Sequence, residues 1–255
     1  MIPKVIHYCW FGRNPLPPLV LKCIDSWRRY CPDYEIKEWN EANFPLDYND
    51  YVEEAYEAKK WAFVTDVVRL YALVTEGGIY MDTDVEVLKP LDSLLQYEAV
   101  SGFENDTCIP TGLMASEAHQ PLFEELLSEY ENIHFKREDG TLDLTTNVRR
   151  ITASCSRYGF VPNNSKQTIR GLTLFPKDYF CPKDYRTKVI CLTNNTMTIH
   201  HFDGSWESPK RQYEKRLMAK IRFLPFPVAN CLSAAIAVVR YEGIVSWMKR
   251  KFGRR

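Results

Sequence analysis

Asp82-Thr83-Asp84, set in Glu76-Gly77-Gly78-Ile79-Tyr80-Met81-Asp82-Thr83-Asp84-Val85, constrains this chain more than any other feature. On an extended segment side chains alternate, so both carboxylates reach one face while Ile79, Met81, Thr83 and Val85 take the other. Two like charges held so close repel unless something positive lies between them. A hard divalent cation carrying substrate phosphates resolves this, because Mg²⁺ or Mn²⁺ takes one or two carboxylates plus phosphate oxygens. Alone, an Asp-x-Asp also suits a turn or a solvated strand edge. The residues upstream shift the balance.

Trp61 to Glu76 reads as a helix without internal Pro or Gly, stopped by Gly77-Gly78, where positive φ can close the last turn. One apolar stripe runs through Trp61, Val64, Val68, Tyr71 and Ala72, and a second through Phe63, Val67, Leu70 and Val74. A helix apolar on two faces is expected between other layers of the core. Asp66 and Arg69 share one side of it, three positions apart. An exposed pair of this kind contributes only a few tenths of a kcal/mol. On a buried helix leading into an acidic strand, the pair is expected to face substrate.

Here the chain resembles a known family. Ala62-Phe63-Val64-Thr65-Asp66-Val67-Val68-Arg69-Leu70, followed by Gly77-Gly78-Ile79-Tyr80-Met81-Asp82-Thr83-Asp84, is similar to the signature of the DXD-containing sugar-transferases, glycosyltransferase family 32. That family includes yeast initiating α-1,6-mannosyltransferase-like enzymes and bacterial capsular and lipopolysaccharide transferases, with the clostridial glucosylating toxins as distant relatives. The opening Ile2-Pro3-Lys4-Val5-Ile6-His7-Tyr8-Cys9-Trp10-Phe11-Gly12 resembles its first strand, and His200-His201-Phe202-Asp203-Gly204-Ser205-Trp206 its closing block. The three blocks bracket residues 1 to 206 in the family's order.

The resemblance implies an α/β fold of GT-A type, a sandwich around a mostly parallel sheet that binds a nucleotide sugar at the carboxyl ends of its strands. Local patterning agrees. Lys4–Trp10 is an apolar, β-leaning run, Leu19–Tyr30 is helical, and Tyr34–Trp39 alternates as a strand. Strands alternating with helices point to a parallel sheet. At 255 residues the chain can bury a sizeable core in one domain. Its eight cysteines form no Cys-x-x-Cys pair and no zinc-like spacing with histidine. Met1-Ile2-Pro3-Lys4 enters the first strand without a signal-peptide pattern, so free thiols in a reducing cytoplasm are expected.

Balanced total charge conceals an asymmetry. Residues 215–255 carry ten basic residues and one acid, a net +9, which leaves −9 for residues 1–214. The division expected is a catalytic domain over 1–214 and a basic, amphipathic helical tail over 215–255. The apolar run Cys231–Val239, ended by Arg240, is too short to span a bilayer. Apolar faces edged with Lys and Arg, with Trp247 nearby, suit an anionic membrane surface, and the enzyme is expected at the inner face of the membrane. The rival is a tail packed on the domain. Nucleic acid is not expected as a partner, because the aromatics sit among aliphatics rather than along a polar basic groove.

The resemblance also assigns roles. Asp84 would ligate the metal directly, and Asp82 would hold ribose or sugar hydroxyls and reach the metal through water. His201-Phe202-Asp203-Gly204 resembles the His-aromatic-x-Gly of a neighbouring family of retaining transferases, whose histidine binds Mn²⁺. Mn²⁺ is therefore the expected cofactor, with Mg²⁺ as the substitute. Neighbouring strand residues face opposite ways, so one histidine reaches the metal; His201 is expected, and His200 competes. Trp10 would stack on the base, against the alternative of a core tryptophan. Asp66 would accept from donor-sugar hydroxyls, Arg69 would hold sugar or diphosphate, and Tyr80 would line the donor site. Ser205 and Trp206 would lie over the diphosphate, where an indole N–H steadies the departing oxygen. No nucleophile stands out, which fits a retaining front-face transfer in which the leaving phosphate takes the acceptor's proton.

The substrates implied are a nucleotide-sugar donor, UDP-linked in the first instance, and a glycan or lipid-linked acceptor in polysaccharide or glycolipid biosynthesis. Residues 134–170, polar and loop-rich, are the expected acceptor side, and Glu104-Asn105-Asp106 is left between sugar contact and plain turn. Two other classes compete. A metal-dependent phosphohydrolase also uses Asp-x-Asp, but its nucleophilic Asp usually follows an N-terminal strand, and here no acid precedes Asp25. A non-catalytic sugar-binding membrane module would not need the complete set of motifs.

Overall fold

The structure is a computed structural model and describes residues 1–185, 187–204, 209–221 and 223–244. The chain forms two compact units, one from residues 1–183 with 190–201, the other from 184–189 with Phe202 onward.

The first unit is α/β. Its elements are β1 (Val5–Cys9), α1 (Pro18–Tyr30), β2 (Glu35–Trp39), α2 (Asp50–Glu57), α3 (Trp61–Thr75), β3 (Gly78–Met81), β4 (Val85–Val87), β5 (Ala99–Gly102), β6 (Leu113–Ser116), α4 (Pro121–Ser128), α5 (Asn147–Ser156), β7 (Gln167–Ile169), β8 (Leu172–Phe175), α6 (Lys177–Phe180) and β9 (Thr198–His200). Seven strands make one sheet in the order β2-β1-β3-β6-β5-β8-β7, and β4 pairs with β9 in a separate two-stranded ribbon. β1, β2, β3, β5 and β8 share one direction and β6 and β7 oppose it, so the sheet is mostly parallel, as expected.

The early elements fall where patterning places them. α3 is the helix read between Trp61 and Glu76, and it packs on β1, β3 and β6 while α2 and α4 pack on it. Sandwiched this way, Val64, Val67, Val68, Leu70, Ala72 and Leu73 are fully buried, which explains both apolar stripes. Gly77 and Gly78 adopt φ of +67° and +108° and turn the chain from helix to strand. A Cβ at Gly78 would stand 2.7 Å from the Val5 carbonyl oxygen. Only glycine passes there at once in conformation and in space.

His7 fixes the same corner. Its Nε2 lies 2.7 Å from the Gly77 carbonyl, and its Nδ1 accepts from Trp39 Nε1–H at 3.0 Å. Those partners define a neutral ring carrying its proton on Nε2, and burial lowers its pKa.

One expectation needs correction. Asp82-Thr83-Asp84 does not lie on a strand: β3 ends at Met81, and the triplet forms the turn into β4, closed by Val85 N–H donating to the Asp82 carbonyl at 2.9 Å. Residues 134–170 lie mostly outside helix and strand, as expected, but they also hold α5, whose first residue, Asn147, is buried.

The second unit contains α7 (Pro209–Lys220) and α8 (Phe226–Glu242), packed against each other. Lys210 pairs with Glu242, and the Tyr213 and Tyr241 rings lie 5.9 Å apart, so the two helices run antiparallel. Of the stretch expected as a tail, the described residues are helical up to Lys220 in α7 and again through α8.

Candidate functional site

The strands that share a direction end on one edge of the sheet, and polar residues follow them there. Trp10 follows β1, Asp82 follows β3, Glu104 lies just past β5, and Gly112 precedes the antiparallel β6. Carboxyl ends of parallel strands are where α/β sheets gather ligands, because backbone groups and loops open together at that edge.

The ribbon brings β9, the last strand of this unit, to this edge. Val85 pairs with His200, and His201 N–H donates to the Asp84 carbonyl at 2.9 Å. α1 holds β4 in turn: Trp27 Nε1–H donates to the Val85 carbonyl at 2.7 Å, and Val87 N–H donates to Ser26 Oγ. This places His200 Nε2 3.3 Å from Asp84 Oδ1 and 3.9 Å from Asp82 Oδ2. One ligand atom from each of Asp82, Asp84 and His200 lies within 4.8 Å of the others. All three are partly exposed.

His201, the expected ligand, goes elsewhere. Its Nε2 meets Glu86 Oε2 at 2.8 Å, and Glu86 also pairs with Lys22. Against the effect of burial, Lys22 and His201 hold the Glu86 carboxyl below its ordinary value. The alternation that admits only one histidine operates as expected, but the register chooses His200.

The donor set fits a divalent cation. Two carboxylates and an imidazole converge, and the imidazole favours a transition metal such as Mn²⁺ over Mg²⁺, which prefers all-oxygen surroundings. Burial disfavours a charged His200, but Asp84, with the Cys181 thiol beside the ring, raises its pKa well above the ordinary value.

Gly112 is a residue that sequence reasoning missed. Its carbonyl accepts Asp82 N–H at 2.8 Å, and a Cβ built on it would stand 2.6 Å from His200 Nδ1. The absence of a side chain at residue 112 is what lets the imidazole sit beside the Asp82 turn.

Asp66 and Arg69 are brought to the site but face inward. They are 7% and 5% exposed. Arg69 Nη2 lies 3.2 Å from Asp82 Oδ1 and 3.5 Å from Asp66 Oδ1, and its Nε donates to the Thr65 carbonyl. The guanidinium stacks over the Tyr80 ring at 4.8 Å, and Tyr80 O–H donates to Asp82 Oδ1 at 2.9 Å. Asp66 Oδ2 accepts Asn147 N–H at 3.1 Å, while Asn147 Nδ2 donates to the Asp66 carbonyl and to Tyr130 Oη. Asp66 therefore sits at the amino end of α5, where a carboxylate is favoured. Burial still lifts its carboxyl to about 6, against the pull of Arg69. Arg69 and Tyr80 both hold Asp82 Oδ1, and Asp66 braces Arg69.

Trp10 is half-buried, its indole N–H donating to the Asn14 carbonyl at 2.6 Å. It lines an open cleft with Arg13, Asn14, Glu38, Asn40 and Glu41. Asp106 pairs with Lys177 and Asn105 Oδ1 accepts from Thr107, so both follow the turn reading. Glu104 differs: burial raises its carboxyl, the His200 charge draws it back, and Asp82 adds to the rise. Ser205 and Trp206 lie outside the described residues.

Residues 17–101 match the family model described as the glycosyltransferase sugar-binding region containing DXD motif. The chain carries that region. Among similar proteins, inositol phosphoceramide mannosyltransferase 3 of Schizosaccharomyces pombe is 33% identical over 106 residues, covering 38% of this chain and 28% of that protein. Inositol phosphoceramide mannosyltransferase 2 of the same yeast is 30% identical over 139 residues, covering 51% and 39%. The matched stretch thus spans less than two-fifths of either relative. Among solved structures, the PaToxG glycosyltransferase aligns with a TM-score of 0.48 at 18% identity, over 61% of this chain and 69% of that one. A glycosyltransferase involved in glycosylation of the PBCV-1 major capsid aligns at 0.45 and 13% identity, over 84% and 100%. The sugar-binding region as matched holds Asp82 and Asp84 but stops well short of His200, which only the fold brings to them.

Proposed function

We propose that this chain is a metal-dependent, retaining glycosyltransferase that moves a hexose from a nucleotide sugar to a glycan or lipid-linked acceptor. The observation that carries this reading is the convergence of Asp82, Asp84 and His200 at the carboxyl edge of the sheet, in a chain with a DXD sugar-binding region. A Mn²⁺ ion held by these three residues would neutralise the diphosphate as the anomeric bond breaks. Asp82, fixed by Arg69 and Tyr80, keeps its second oxygen turned toward His200 and is poised for ribose or sugar hydroxyls. Trp10 in its cleft offers a face to the base, which we take as uracil in the simplest case. Ser205 and Trp206 keep their assignment over the diphosphate by resemblance, as do retention and the front-face route.

The names of the two yeast relatives, mannosyltransferases acting on an inositol phosphoceramide, support a lipid-linked acceptor and put mannose among the sugars to test. Synthesis of a capsular polysaccharide or lipopolysaccharide accommodates such an acceptor. We place the catalytic domain at 1–214 and the basic tail at 215–255, the tail resting on the anionic inner face of a membrane.

The test is release of nucleoside diphosphate by the full chain from a panel of UDP- and GDP-linked hexoses. Release should occur with one preferred donor, faster with Mn²⁺ than with Mg²⁺, and stop in EDTA. Undiminished release in EDTA overturns metal dependence. Release of inorganic phosphate from simple phosphate esters, without sugar transfer, favours the phosphohydrolase.

A further inference from the structure

α8 is apolar nearly all round. Its sequence, Phe226-Pro227-Val228-Ala229-Asn230-Cys231-Leu232-Ser233-Ala234-Ala235-Ile236-Ala237-Val238-Val239-Arg240-Tyr241-Glu242, has a single acid, at its last position. A helix of this kind needs cover on more than one side. One side has it: Ala229, Ser233, Ala237 and Val238 are buried, and α7 packs along the helix. The other does not. Val228, Leu232, Ile236 and Val239 are 37% to 51% exposed. At 3.6 residues per turn these four aliphatics fall within roughly 80° of arc and form one stripe.

The helix that packs on α8 is basic. α7 contributes Lys210, Arg211, Lys215, Arg216 and Lys220 against one acid, Glu214, which is buried and paired with Arg211. Arg211, Arg216 and Lys220 are exposed. A second copy docking stripe to stripe would bring together two tails that each carry a net +9, which like charge opposes. A surface apolar within and anionic at its rim complements both features. No helix among the described residues is long and apolar enough to cross a membrane.

We infer that the Val228–Leu232–Ile236–Val239 face of α8 lies in the headgroup–acyl boundary of an anionic bilayer, with the basic residues of α7 on the lipid phosphates. This rests on the membrane reading of the tail and specifies it: α8 lies in the plane of the interface, and contact is hydrophobic as well as electrostatic. The distinction is measurable, because salt screens attraction between charges but leaves buried aliphatics in place.

The experiment is co-sedimentation of the full chain with phosphatidylcholine vesicles, with and without phosphatidylglycerol, across NaCl concentrations. Wild type should bind the anionic vesicles and keep a substantial fraction bound at about 0.5 M salt, where screening acts within a few ångströms. Leu232→Glu/Ile236→Glu should weaken binding about tenfold or more at low salt, while Leu232→Met/Ile236→Met retains it. Both pairs are exposed and lie outside the metal site, so donor hydrolysis and circular dichroism should match wild type. If the Glu pair binds like wild type and salt strips both, charge alone holds the tail, and the α8 inference fails while the membrane reading stands. If wild type ignores anionic vesicles, both fail. If wild type is instead a dimer that the Glu pair turns to monomer, the face meets another copy of this chain and the inference is overturned.

Discussion

Two acidic clusters stand side by side in this molecule and do different work. Asp66, with Arg69, is shut inside, its oxygens engaged by a guanidinium and by the backbone at the start of α5. Asp84, with His200, is partly open and has a second aspartate and an imidazole within 4.8 Å. The sequence presents both as carboxylates near a sugar-binding motif. Burial separates them: a charge that has lost its water and gained permanent partners holds the fold, and one that keeps access can exchange water for a ligand.

The sharpest way to break that distinction is Asp84→Asn. Loss of one first-contact charge should lower metal-dependent turnover by about a thousandfold, in line with the several kcal/mol a catalytic cation supplies. The thermal midpoint without metal should stay near wild type. An active Asp84→Asn protein would assign the cation elsewhere.

Arg69→Met should show the opposite profile. Removing one partner of a buried pair leaves Asp66 uncompensated, at a cost of about 3–5 kcal/mol. Denaturant unfolding should report that loss directly. If Arg69→Met folds as stably as wild type but fails to hydrolyse donor, the pair touches substrate after all.

Next in size is the choice of histidine. His200→Ala should weaken Mn²⁺ binding by about 10- to 100-fold, and His201→Ala by far less. Gly112→Ala should give an intermediate loss, about tenfold, because its methyl would displace the imidazole by contact alone. Titration of Mn²⁺ into the three variants ranks them, and a His201 effect larger than that of His200 would reverse the assignment.

The smallest effect concerns His7. Its folded pKa lies below its ordinary 6.5 because of burial, so the unfolded chain binds the extra proton first. Stability should fall as pH drops below about 6.5, by up to 1.4 kcal/mol per pH unit, until the folded pKa is passed. His7→Asn should lose this slope when subtracted from wild type in paired unfolding curves. Parallel curves would mean that His7 is as accessible to protons as the unfolded chain.

Much of the fold was legible because its signals are local. The limits of β1, α1, β2 and α3 follow from apolar periodicity and from the glycines after α3, each readable within a few residues. The Asp-x-Asp was legible as chemistry, but not its turn, since β3 ends one residue before it. What escaped depends on partners distant in sequence. The register Val85 to His200 decides between adjacent histidines that look alike in isolation. Asn147 reaches Asp66 from a stretch that reads as polar loop, and only Thr146 ahead of a helical run hints at an amino terminus there. The inward turn of Asp66 and Arg69 was within reach, because two apolar stripes on α3 leave little surface for a charged pair to use.

The β4–β9 ribbon gives the site a history as well as a shape. Its two strands are only three residues each, yet they close the chain between Asp84 and His200 into a loop. A cation gripping both ends would act as a reversible cross-link, opposing the entropy that favours parting them. During synthesis the two aspartates emerge long before their histidine, so tight metal capture has to wait until the ribbon pairs. Competence to bind the ion is therefore a report that the far end of the unit has been made and folded.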